Sequence, residues 1–166
     1  MRKRKKVVVG FGSLSGDDQA GWSAIDKLEQ LKSIQNKDCD DVVFFQSKAD
    51  GADWFPVVED ASEIIFIDAV YSGDDVGVIH VITDRAGLAK KFSLSSHAIG
   101  IFDSIELAEA LGYLKVAYTF FGIEIGRDDE NVYRNSEDIN NNGITEAVKK
   151  AIQTLTTQVE RKLLES

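Results

Sequence analysis

Cysteine is nearly absent: Cys39 stands alone among 166 residues, which excludes an internal disulfide and any Cys-based zinc site. Its neighbours Asp38 and Asp40 would raise the thiol pKa and discourage a thiolate nucleophile. Histidine is almost as scarce. The chain has two, His80 and His97, and no His-Glu-x-x-His pairing, so a resident zinc-protease helix is excluded. No Gly-x-Ser-x-Gly elbow occurs, and Ser95 and Ser96 adjoin His97 in sequence, where neighbours seldom face each other usefully. No apolar run approaches membrane-spanning length. The basic cluster Arg2 to Lys6 leads into a strand instead of a signal-peptide segment and reads as a solvated lead-in. Positive charge is also short. With 19 Lys and Arg against 28 Asp and Glu, the net charge is -9, which argues against a nucleic-acid partner because phosphate binding needs a basic face. The expectation is a cytoplasmic enzyme without membrane insertion.

What is present is a regular alternation of apolar runs and amphipathic segments. Hydrophobic residues make up 43% of the chain, enough for a sizeable core in a single domain spanning residues 1–166. Strands are expected near 6–11, 42–47, 63–70, 77–83 and 116–125, and helices near 19–33, 52–60, 103–112 and 143–164. That order predicts an α/β fold: a mostly parallel twisted sheet of about five strands with helices on both faces. The turn Ser72-Gly73-Asp74-Asp75 is too short for a crossover helix, so the strand after it should run antiparallel, paired with its predecessor. The last helix carries an apolar stripe, Ile144, Val148, Ile152, Leu155, Val159 and Leu163. Before it, the polar stretch 127–142 has no periodicity and reads as a mobile loop.

Three polar residues fall where such a fold keeps its chemistry. Val7-Val8-Val9-Gly10-Phe11-Gly12 moves from a buried strand into a loop that ends on Asp17 and Asp18. Either acid also suits a helix N-cap. Ile64-Ile65-Phe66-Ile67 is apolar throughout until Asp68, a carboxylate at the edge of a core that needs a metal or a salt-bridge partner. Ligand crevices of open α/β sheets lie outside the carboxyl ends of the strands, where both acids fall. His97 lies in a serine-rich loop ahead of a helix, whereas His80 alternates with apolar neighbours inside a strand and reads as structural. Asp18, Asp68 and His97 thus form a candidate divalent-metal triad.

Several pieces of the sequence, taken in order, resemble one family. They are Gly10-Phe11-Gly12-Ser13 with Gly16-Asp17-Asp18, then Asp50-Gly51-Ala52, Ile65-Phe66-Ile67-Asp68-Ala69-Val70, Gly77-Val78-Ile79-His80, Ser95-Ser96-His97 and Phe121-Gly122-Ile123-Glu124. The pattern is similar to that of the hydrogenase maturation endopeptidases, which trim the C-terminal extension from a nickel-containing hydrogenase large subunit. The resemblance implies that Asp18, Asp68 and His97 contact nickel. It further implies that the nickel is carried by the substrate, a large-subunit precursor, so that cleavage waits on metal insertion; other divalent ions can occupy the site in vitro. The catalytic roles stay among the same three residues. The chain departs from the family at the first loop: Ser13 stands where asparagine is usual, the loop is one residue shorter, and Gln19 follows Asp18 where glycine is expected. Those differences leave Asp17 and Asp18 both open for the first position.

A second class also fits part of the pattern. A receiver-like signalling module places an acidic pair after strand one and an aspartate after a central strand, and binds magnesium there. His97 has no place in that scheme, and the last strand ends on Gly122-Ile123-Glu124 where a receiver needs lysine.

Overall fold

The computed structural model describes residues 4–35, 40–48, 51–92, 96–126 and 143–165. The chain runs through β1 (Arg4–Phe11), a 3-10 turn (Gly16–Gln19), α1 (Ala20–Glu29), α2 (Lys32–Gln35), β2 (Asp40–Ser47) and α3 (Phe55–Val58). It continues through β3 (Glu63–Val70), β4 (Ile79–Ile82), α4 (Arg85–Phe92), α5 (Ser96–Ala110), β5 (Tyr118–Glu124) and α6 (Glu146–Glu165). The five strands form one sheet in the order β2-β1-β3-β5-β4. All neighbouring pairs are parallel except β5 with β4. The expected mostly parallel α/β sheet is therefore what forms.

Side-chain alternation along the interior strands divides the core into two layers. Val7, Val9, Ile64 and Phe66 pack with Trp54 and α5 on one face. Val8, Ile65 and Ile67 pack with α1 and α6 on the other. An interior strand covered on both faces needs apolar residues at every position, which is why β1 and β3 read as unbroken runs. The stripe expected in α6 is buried from Val148 through Leu163.

Several elements differ from expectation. β4 pairs with β5, not with its predecessor β3, because β5 takes the free edge of β3. The physical reason lies in composition: β5 is buried at every position, whereas β4 leaves Val81 53% exposed, and the half-polar strand belongs at the edge. A helix over 85–92 was not expected, and α5 begins at Ser96, well before 103. Conversely, the segment expected as a helix over 52–60 holds only the single turn Phe55–Val58. Of the basic lead-in, Arg4 is exposed as expected, but Lys5 and Lys6 are held by the fold. Lys6 is 1% exposed and donates from Nζ to Leu163 O at 2.7 Å, and Lys5 donates to Val57 O at 2.6 Å. A cation at the last carbonyls of α6 complements the negative end of that helix. The polar stretch 127–142, Cys39, Asp50 and Ser95 lie outside the described residues. No helix among the described residues is long and apolar enough to cross a membrane.

Candidate functional site

The first acidic position is set by how closely α1 approaches the sheet. A Cβ added to Gly21 would lie 2.1 Å from Phe11 O and 2.8 Å from Ile67 O, and one on Gly10 would lie 2.4 Å from Gly21 O. No side chain larger than hydrogen fits at that crossing, so the start of α1 rests on the ends of β1 and β3. The preceding loop is closed by the Asp18 N–H donating to Ser15 O at 3.0 Å and the Ser13 N–H donating to Asp18 O at 3.3 Å. The 3-10 turn packs against β3, close enough for the Asp18 charge to act on Asp68. Gly21→Ala should cost about 3 kcal/mol by overpacking. It should also displace Asp18, a joint loss of stability and activity that denaturant unfolding and a cleavage assay would register together.

Asp68 sits near the end of β3 and is 2% exposed. Burial holds its carboxyl well above the usual carboxylate range, and the charge of nearby Asp18 raises it further, opposed only in part by a hydrogen bond from the Ala69 N–H. Burial and the Asp18 charge therefore both work against ionisation of Asp68. Such a pair of acids is relieved by a proton or by a cation, and a divalent ion between them would favour both charged forms.

Asp17 does something different. It is buried, and its carboxylate accepts from Thr145 N at 2.7 Å and Thr145 Oγ1 at 3.0 Å, tying the first loop to the start of α6. Neither acid caps its own helix through its side chain. Asp17→Ala should thus destabilise the protein by about 2–3 kcal/mol through loss of charge-assisted hydrogen bonds. Cleavage per folded molecule should stay near wild type, whereas Asp18→Asn should show the opposite split in the same pair of assays.

His97 falls in the first turn of α5, not in a loop before a helix; its side chain lies outside the described residues. Its backbone position still follows from topology. α5 leads into β5 through a short connection and packs on the sheet through Ile101 and Ile105, so it runs back against the strands. Its first turn therefore lies at the carboxyl end of the parallel strands, the end that carries Asp68.

His80 is buried in β4, as a structural reading of it requires, and its Nε2 lies 2.8 Å from Glu124 Oε2. Glu124 is 0% exposed, and its carboxylate accepts from Ser72 N at 2.7 Å, Ser72 Oγ at 2.8 Å and Gly73 N at 3.0 Å. This pins the loop after β3 to the end of β5. Sequence reasoning missed Glu124 as a polar hub, although a charge closing an apolar strand is the same signal that singled out Asp68. Across the sheet Asp68 pairs in register with Gly122 and Gly122 with His80, so this network lies about 10 Å from Asp68 at the same end.

Comparison with known proteins agrees with this architecture. The family model for hydrogenase maturation protease (HycI) matches residues 25–162. The fold is similar to that of the hydrogenase maturating endopeptidase HybD from E. coli, with TM-score 0.73 and 20% identity over 97% of this chain and 93% of that one. It is similar as well to the [NiFe] hydrogenase maturation protease HybD from Thermococcus kodakarensis, with TM-score 0.66 and 20% identity over 96% and 99%. The HycI protease of the same organism gives TM-score 0.67 and 15% identity over 99% and 94%. No curated protein sequence matches. The family match sets aside the receiver-like alternative, and the chain belongs to the hydrogenase maturation proteases, a family of peptidases.

Proposed function

We propose that this protein is the endopeptidase that removes the C-terminal extension of a nickel-containing hydrogenase large subunit once nickel has been inserted. Asp18, Asp68 and His97 would contact nickel held by the precursor. The observation that carries this reading is the buried Asp68 beside the charge of Asp18, a carboxyl whose ionisation burial and that charge oppose near a strand end until a cation joins it. Two carboxylates and an imidazole suit a borderline divalent ion such as nickel and leave coordination positions for ligands from another chain. Membership of the family supports the large subunit as the partner.

Contact with substrate nickel would place the scissile bond beside the first loop and make hydrolysis conditional on metal insertion. Water attacks the peptide carbonyl, its proton is accepted within the triad, and the released amine takes up a proton. Burial and the Asp18 charge raise the proton affinity of Asp68, which suits it to accept that proton. The cytoplasmic location belongs to the same proposal.

The test uses metal-free protein with nickel-loaded and nickel-free precursor, read by mass spectrometry. Loss of the extension from the loaded precursor only is the expected result. Cleavage of nickel-free precursor restored by adding zinc to the enzyme would replace substrate recognition with a resident metalloprotease mechanism.

A further inference from the structure

Beyond the triad, the loop after β3 and the ends of β4 and β5 bring together Asp74, His80 and Glu124. Each offers one ligand atom, and the three atoms lie within 4.8 Å of one another. The imidazole Nε2 lies 2.8 Å from Glu124 Oε2 and 3.7 Å from Asp74 Oδ2. We infer that Asp74, His80 and Glu124 form a second divalent-cation site, suited to zinc or a similar borderline ion and separate from the Asp18/Asp68/His97 site.

Two ligands in a tetrahedral zinc shell lie about 3.4 Å apart, given bonds of about 2.1 Å. The His80–Asp74 separation already fits, and the His80–Glu124 pair has to open by roughly half an ångström. Glu124 is oriented for the task. Its Oε1 is held by the backbone N–H groups of Ser72 and Gly73, and its Oε2, which also accepts from Ser72 Oγ, faces His80, as outer hydrogen bonds commonly fix a ligating carboxylate. Asp74 is 43% exposed and supplies the adjustable third ligand. A groove lined by Ser72, Ile79, Ile82 and Lys90 opens against His80 and gives an ion a path in. Binding would lock the loop 71–78 to the edge of the sheet, beside the end of β3. The remaining coordination position would hold water or a carboxylate of the substrate.

The site is tested without precursor, so that it stands or falls separately from the peptidase reading. Zinc is titrated by calorimetry into metal-free Asp68→Asn/His97→Ala protein, a background in which the proposed nickel contact is disabled. One zinc per chain is expected, with at least a ten-fold loss of affinity in the added Asp74→Asn variant; that exposed substitution keeps side-chain size, and circular dichroism of the same sample verifies folding. Cobalt in place of zinc should give the visible absorption of a tetrahedral nitrogen–oxygen site, lost with Asp74→Asn. No zinc binding in the background variant, or equal affinity with and without Asp74→Asn, would overturn the inference.

Discussion

Asp68→Asn is expected to reduce processing of a nickel-loaded precursor by about 100-fold, the loss that follows from removing a metal contact, and at neutral pH to raise the melting temperature. The two effects have one cause. Burial and the Asp18 charge raise the folded-state pKa of Asp68 above its unfolded value. A carboxyl shifted upward contributes stability that is fully present below its unfolded pKa and is lost as pH rises through the folded pKa. At neutral pH the ionised group therefore costs stability, and the amide, which cannot ionise, removes that cost. The gain should be on the order of 1 kcal/mol, the usual size when a strained functional residue is relieved. In melting temperature that is about 2–4 °C for a chain of this length. Near pH 2.5, about a unit below the ordinary aspartate pKa of about 3.9, the two proteins should melt alike, because the aspartate is then protonated in both states. Cleavage by wild type should also fall as pH drops through the raised pKa, since protons compete with nickel for the same carboxylate. An Asp68→Asn protein that melts below wild type at pH 8 would mean the carboxylate is held by a structural partner.

Glu124→Ala should be the most damaging single change to stability outside the hydrophobic layers. Ser72 N, Ser72 Oγ, Gly73 N and His80 all converge on this carboxylate, which is itself fully buried. Removing the hub takes the partner from buried His80 and from the part-buried donors of Ser72 and Gly73, at a cost of about 3 kcal/mol. That corresponds to a fall in melting temperature of about 10 °C. His80→Gln removes one arm of the network only, so it should lower the melting temperature less and leave cleavage per folded molecule nearly intact. A Glu124→Ala protein within about 1 kcal/mol of wild type by denaturant unfolding would show that water replaces the carboxylate without loss.

The interior of the sheet was legible because burial on both faces forces a continuous apolar run: β1 and β3 announce themselves, and so does the stripe of α6. Strand order was not legible to the same degree. Only relative burial decides whether β4 or β5 lies next to β3, and a four-residue edge strand such as Ile79–Ile82 carries little of that signal. Asp68 stood out as a charge closing an apolar run. Glu124 closes one too, yet its partners Ser72 and His80 lie 52 and 44 residues away, a pairing no local pattern encodes. The choice between Asp17 and Asp18 also needed a distant residue. Thr145 engages Asp17, and Asp18 is the acid whose charge acts on Asp68. The helix over 85–92 escaped notice for a simpler reason: Arg85-Ala86-Gly87-Leu88 has no apolar periodicity, and Gly87 lowers its propensity.

Contact between the triad and substrate nickel is tested most directly by nickel-edge X-ray absorption on loaded precursor, frozen immediately after mixing with metal-free protein. Added oxygen and nitrogen ligation at the nickel is expected with wild type and absent with Asp68→Asn or His97→Ala. An unchanged nickel spectrum in a wild-type mixture that goes on to release the C-terminal extension would contradict it.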